Sequence, residues 1–146
     1  MLANTSQLVL HNLADLTGKV IFVEPEADTL AHSLLELTAF SCFTTDAAVQ
    51  QQWQQAGAPI YFGTAPQFNE QFDTAVVFYP KSKELLADSL QRIAAALAPK
   101  AQVYVVGDNK GGVKTLVTHA TKLGLHAHKL DNAKHCLWFS LAGDFS

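Results

Sequence analysis

Two runs in the second half of the chain, Ala75-Val76-Val77-Phe78-Tyr79 and Val103-Tyr104-Val105-Val106, are apolar at every position rather than at every second one. A strand with one face in water alternates apolar and polar residues, so runs without that alternation predict strands covered on both faces, as in a parallel sheet flanked by helices. The segment between them fits the helical crossover that parallel strands require. Ser82 is placed to cap it, Leu86, Leu90, Ile93 and Leu97 recur on one side, and Pro99 ends it.

The same rhythm runs through the rest of the chain. Residues 7–16 carry Leu8, Leu13 and Leu16 near one face and stop before Gly18, predicting a short amphipathic helix. Val20-Ile21-Phe22-Val23 is a further fully apolar strand, after which Asp28 is placed to cap a helix with Leu30, Leu34 and Leu37 in one stripe. Residues 40–44 read as a strand, residues 46–55 as a helix with Val49 and Trp53 one turn apart and Gly57 past its end, and Ile60-Tyr61-Phe62 as a short strand. A helix bearing Leu116, Val117, Ala120 and Leu123 ends at Gly124. Two strands then follow, over 125–130 and 136–141, with a turn at Asp131-Asn132; so short a link makes them antiparallel. The expectation is an α/β fold: a doubly wound, mostly parallel Rossmann-like sheet with an antiparallel C-terminal hairpin.

With 146 residues and 49% hydrophobic content, one domain over residues 1–146 is expected, since a chain of this size hides roughly 70% of its unfolded surface. No apolar run reaches the roughly 18 residues of a membrane span, and the first residues lack the basic-then-apolar pattern of a secretory signal, which predicts a soluble, cytoplasmic protein. Cys42 and Cys136 lie in apolar runs far apart, as buried free thiols do. The charge is unevenly distributed. One base and eight acids lie up to Tyr79, nine bases and five acids beyond it, within a net charge of −3. Only the second part is suited to face an anion.

In such sheets ligands bind beyond the carboxyl ends of the strands. After the first strand the turn reads Glu24-Pro25-Glu26-Ala27-Asp28, where a dinucleotide or adenosyl cofactor needs glycines so that backbone amides can approach it. Three carboxylates and a proline predict a solvated turn instead. Lys110-Gly111-Gly112-Val113-Lys114-Thr115 nearly spells a phosphate loop, but Val113 separates the second glycine from its lysine and 31 residues after Thr115 are too few for the rest of a nucleotide site. Two readings stay open there: an anion site built from the Gly111 and Gly112 amides with Lys110 and Lys114, or a glycine turn with solvated lysines.

Three segments carry a family resemblance: Asp73-Thr74-Ala75-Val76-Val77-Phe78-Tyr79-Pro80-Lys81-Ser82-Lys83, Val105-Val106-Gly107-Asp108-Asn109-Lys110-Gly111-Gly112-Val113-Lys114, and Ala133-Lys134-His135-Cys136-Leu137-Trp138-Phe139. In order and spacing they resemble the amino-terminal domain of the bacterial ribosomal RNA small subunit methyltransferase C family, most strongly from Asp73 to Phe139. The resemblance implies two methyltransferase-like folds in tandem. The carboxyl-terminal one binds S-adenosylmethionine and methylates guanine N2 of 16S rRNA through an Asn-Pro-Pro-Phe loop; the amino-terminal one has lost both features and helps the enzyme fold and engage RNA. The residues agree, since Tyr79-Pro80-Lys81 stands where that loop would be and leaves no side-chain amide to orient a guanine amine. The expected partners are the chain's own catalytic domain, with Ala142-Gly143-Asp144 beginning the linker to it, and 16S rRNA or the small subunit. S-adenosylmethionine is expected for the parent enzyme and no cofactor for this domain.

Candidate RNA contacts are Tyr79 as a stacking ring, Lys81, Lys83, Lys110 and Lys114 as phosphate partners, and the Gly111 and Gly112 amides. Tyr79 has an alternative reading as a strand-end aromatic packed on a neighbour. The overall pI near 6.0 makes any such field local. The six His residues lack ligand spacing, which predicts no metal, and Ser82 lacks a nucleophile elbow. Trp53 and Trp138 read as core or interface anchors. A second function from a different class also stays open: a scaffold that only packs against the catalytic half.

Overall fold

The computed structural model describes every residue except Leu35, Glu36, Thr38, Lys81, Ser82 and Ser146, and describes Lys83 without its side chain. Among the described residues seven strands form one sheet in the order β3-β2-β1-β4-β5-β7-β6. They are β1 (Lys19–Val23), β2 (Ala39–Thr44), β3 (Ile60–Phe62), β4 (Phe72–Phe78), β5 (Leu97–Asp108), β6 (His126–Ala133) and β7 (Cys136–Ala142). The pairs among β1 to β5 are parallel, and β7 runs antiparallel to both β5 and β6. This is the expected doubly wound α/β sheet with its C-terminal hairpin.

The apolar runs are buried on both faces because successive side chains alternate across the sheet. Val20, Phe22, Val76, Val106 and Trp138 meet α1 (Asn4–His11) through Leu8 and Val9, and α2 (Ala47–Gln55) through Val49 and Trp53. Ile21, Val77, Val105 and Phe139 meet α3 (Lys83–Ala94) through Leu86, Leu90 and Ile93, and α4 (Leu116–Lys122) through Leu116 and Ala120. Both tryptophans are core anchors: Trp53 tilts onto Phe22 at 5.4 Å, and Trp138 stacks on Tyr104 at 5.0 Å. Asp46 caps α2, accepting from the Ala48 and Val49 amides. Among the described residues no helix is long and apolar enough to cross a membrane.

Five local expectations are corrected. The first helix spans Asn4–His11 rather than 7–16, because Asn12 leaves the helical region and its side-chain amide donates to the Leu8 carbonyl and Asp131, with Leu13–Asp15 continuing as a 3₁₀ turn. Among the described residues after Asp28, Leu30–Ser33 form a 3₁₀ turn rather than the start of an α-helix, although Leu30 and Leu34 do reach the core. Leu97 belongs to β5 rather than to α3, since the Phe72 amide takes the Ala96 carbonyl and draws this stretch alongside β4. Pro99 lies where the β4–β5 register shifts, so its missing N–H leaves no ladder partner unmet. The last hairpin turns at Lys134 and His135, not at Asp131 and Asn132, which are inside β6. Val117 and Leu123 of the predicted α4 stripe are exposed, as the helix is short and faces the sheet with Leu116 and Ala120 only. The expected cap Ser82 lies outside the described residues.

Candidate functional site

The order of strands reverses between β1 and β4, so the crevice beyond their carboxyl ends is where this fold binds ligands. Three loops meet there, after β1, β4 and β5.

The loop after β1 is engaged with the protein itself. Glu24 adopts a left-handed backbone, φ 53°, and its carboxylate accepts from the Thr45 amide at 2.5 Å and the Thr45 hydroxyl at 3.1 Å. The Glu26 carbonyl accepts from the Trp53 indole at 3.1 Å. Asp28 turns one carboxylate oxygen to the Ala3 amide at 3.0 Å and the Ser6 hydroxyl at 2.7 Å, and the other to the Leu30 amide at 2.9 Å. Ala3 is the residue at the start of α1 and has no capping side chain of its own, so Asp28 caps that helix from 25 residues away. The sequence places a cap at Asp28 but not the helix it serves. Pro25 has no N–H to offer, and the three carboxylates around it hold β2 and α1 or face the crevice. These residues do not fit an adenosyl cofactor, whose cradle is built from close-approaching backbone amides.

A cavity of about 230 Å³ remains between this loop, the start of α1 and the ends of β4 and β5, lined among others by Thr5, Glu26, Tyr79, Gly107 and Asp108. Glu26 is exposed as a residue, yet partial burial of its carboxyl raises its pKa, with Asp28 and then Asp108 adding repulsion. A crevice of this sign disfavours a phosphate. Burial, reinforced by Asp108 and Glu26, pushes the Cys136 thiol up to about 11, and burial also raises Cys42, so both behave as inert apolar groups.

Tyr79 stands at the end of β4, half-buried, with its amide on the Val106 carbonyl at 2.7 Å. Its hydroxyl lies 2.8 Å from His119 Nδ1 and 3.3 Å from Thr115 Oγ1, and Thr115 in turn donates to the Gly112 carbonyl at 2.7 Å. Underneath is Gly107, where a Cβ would come within 2.7 Å of the Cβ atoms of Tyr79 and Val113. Tyr79 is thus bonded through its hydroxyl and packed over Gly107.

The loop after β5 winds through two 3₁₀ turns, Asn109–Gly111 and Val113–Thr115, joined by Gly112 at φ 90°. Asp108 receives the Lys110 amide at 2.7 Å, and the Gly112 amide points at the Asn109 carbonyl at 3.5 Å. Lys110 and Lys114 are exposed. Lys81 lies outside the described residues, and so does the side chain of Lys83. Among the described residues, no group of three or more His, Cys, Asp or Glu is placed to hold a metal.

The sequence reading missed one neighbour of this loop. The Asn109 amide donates to the His135 carbonyl at 2.9 Å, and Asp108 pairs with Cys136, so the β6–β7 turn stands beside Lys110. Asp131-Asn132 is the stronger turn signal by composition, and nothing local marks Lys134-His135 as the turn.

Residues 6–144 match the family described as "Methyltransferase small domain N-terminal". The chain is 34% identical over 144 residues to the ribosomal RNA small subunit methyltransferase C of Shewanella sediminis (strain HAW-EB3), covering 95% of this chain and 42% of the relative. It is 37% identical over 153 residues to the same-named protein of Shewanella baltica (strain OS155 / ATCC BAA-1091), covering 95% and 43%. The chain thus spans 42 to 43% of the length of these curated relatives. Among solved structures, a SAM-dependent methyltransferase from Bacteroides fragilis in complex with S-adenosyl-L-homocysteine superposes with TM-score 0.69 at 14% identity, covering 97% of this chain and 78% of that one. Ribosomal protein L11 methylase from Lactobacillus delbrueckii subsp. bulgaricus does so with TM-score 0.69 at 11% identity, covering 94% and 76%. At these identities the structural likeness concerns the fold.

Proposed function

Because the chain belongs to the methyltransferase small domain N-terminal family, we propose that it is the non-catalytic N-terminal domain of a cytoplasmic, SAM-dependent 16S rRNA (guanine-N2)-methyltransferase. In this reading it supports the catalytic half and helps the enzyme engage rRNA. The observation that carries the first part is Asp28: the carboxylate in the turn where a working methyltransferase fold approaches its cofactor is bonded to Ala3, Ser6 and Leu30 of its own chain. S-adenosylmethionine then belongs to the other half, and this domain takes none. Isothermal titration of the chain with S-adenosylmethionine is expected to give no saturable heat; stoichiometric binding would overturn the reading.

RNA engagement draws on Lys110 and Lys114, exposed on the loop after β5, together with Lys81 and Lys83 after β4. Gly111 and Gly112 keep these lysines on a tight loop, and Tyr79 braces it through Thr115. Such contacts give a salt-dependent, sequence-independent attraction to phosphates. Replacing Lys110 and Lys114 by Ala is expected to weaken binding to 16S rRNA and flatten its salt dependence by up to about two units of slope. An unchanged salt slope would remove the RNA role.

One feature favours the second reading, a scaffold without RNA contact. Val117 on α4 and Leu123 just past its end are 48% and 42% exposed, and a cavity bordered by Ala87, Leu90, Leu123 and Leu125 runs to Phe145. An apolar surface there suits packing against the catalytic half. Loss of thermal stability with unchanged RNA binding after substitutions in this groove would support it.

A further inference from the structure

We propose that the β6–β7 turn, Lys134 with His135, belongs to the same RNA-binding surface as Lys110 and Lys114, where it presents a cation to a backbone phosphate. The proposal rests on the RNA reading above and adds residues that reading does not include.

Both turn residues are in the left-handed region, Lys134 at φ 56° and His135 at φ 61°. A two-residue hairpin turn of this kind favours Asn-Gly or Asp-Gly, because only residues without a bulky Cβ environment, or with a short side chain that bonds locally, adopt it cheaply. A lysine and a histidine are poor choices for the fold. Strain of this sort at an exposed turn points to side chains kept for what they meet.

Position supplies what they meet. The Asn109 amide reaches the His135 carbonyl at 2.9 Å, one residue from Lys110, so the turn and the loop after β5 form one rim. Lys110, Lys114, Lys134 and His135 are all exposed, and among the described residues neither Lys134 nor His135 has a side-chain hydrogen bond or ion pair. Of the acids nearby, Asp108 accepts from the Lys110 amide at 2.7 Å and Asp131 from the Asn12 side-chain amide at 3.1 Å. Glu26 lies with Asp108 on the lining of the cavity. The rim carries three exposed lysines, and a polyanion with regularly spaced phosphates can meet several at once.

The test uses the whole chain, a fluorescein-labelled hairpin RNA and fluorescence anisotropy between about 50 and 200 mM salt. The variant K134N/H135G installs the favoured turn and removes the lysine's charge and the imidazole. It is expected to raise Tm by about 2–8 °C while RNA affinity at low salt falls about threefold to tenfold and the salt slope drops by about one unit. Lys134→Gln, which leaves the backbone preference alone, is expected to lose affinity similarly at unchanged Tm. If the wild-type chain shows no salt-dependent RNA binding, the RNA reading falls and this inference with it. If Lys110→Ala and Lys114→Ala weaken binding but both turn variants bind as wild type, this inference alone is overturned.

Discussion

The Tyr79 hydroxyl lies 2.8 Å from Nδ1 of His119, a bond across 40 residues of sequence that fastens the end of β4 to α4. It also fixes the loop after β5, since the same hydroxyl reaches Thr115, which closes on the Gly112 carbonyl. The lysine loop is thus held from below by a tyrosine.

Replacing Tyr79 by Phe keeps the ring and removes these contacts. Stability should fall by about 1 kcal/mol in urea unfolding, and the His119 ring ¹⁵N signals should shift as Nδ1 loses its partner. An unchanged His119 spectrum would show that the bond does not form in solution.

Gly107→Ala is a harsher change. The added methyl would meet the Cβ atoms of Tyr79 and Val113 at 2.7 Å, with no flexible side-chain end able to move aside. Overpacking here should cost about 1–3 kcal/mol, read as a lower midpoint in chemical denaturation.

Asp28→Ala removes the cap of α1 together with its bond to Leu30. A loss of about 1–2 kcal/mol is expected, and amide hydrogen exchange in α1 should accelerate selectively. Asp28→Asn, which keeps an acceptor, should recover part of the loss. Uniform exchange changes across the sheet would contradict the capping role.

Glu26 gives a pH signature. Partial burial, then Asp28 and Asp108, raise its pKa above 4.5, so its contribution to stability is fully present below that value and is lost as pH rises through the native one. At neutral pH the ionised carboxyl is a cost. Glu26→Gln should therefore raise Tm by about 1 °C at pH 7 and make no difference near pH 4, as followed by circular dichroism. A variant less stable at pH 7 would reverse the assignment.

Strands and sheet class were legible because burial on two faces writes itself into every residue of runs such as those in β4 and β5. The segment after Asp28 misled for a physical reason: its leucine stripe is real and reaches the core, but Asp28 is taken by a helix start far away in sequence, and Leu30–Ser33 settles into a 3₁₀ turn. Turn chemistry misplaced the last hairpin, where the pairing of Asp131 with Trp138 outweighs the local preference of Asp-Asn for a bend. Of the site, the charge division and the loop lysines could be read directly. The closeness of Lys134 to Lys110 could not, as it depends on which residues of β6 and β7 lie opposite one another.

The last of the seven strands of this sheet is not the outermost one. β7 slots between β5 and β6, so during synthesis β6 has no strand to pair with, and the flank of β5 stays open, until residues 136–142 have left the ribosome. A message truncated just short of them would release a polypeptide with a sticky, hydrophobic margin, prone to clump with its siblings.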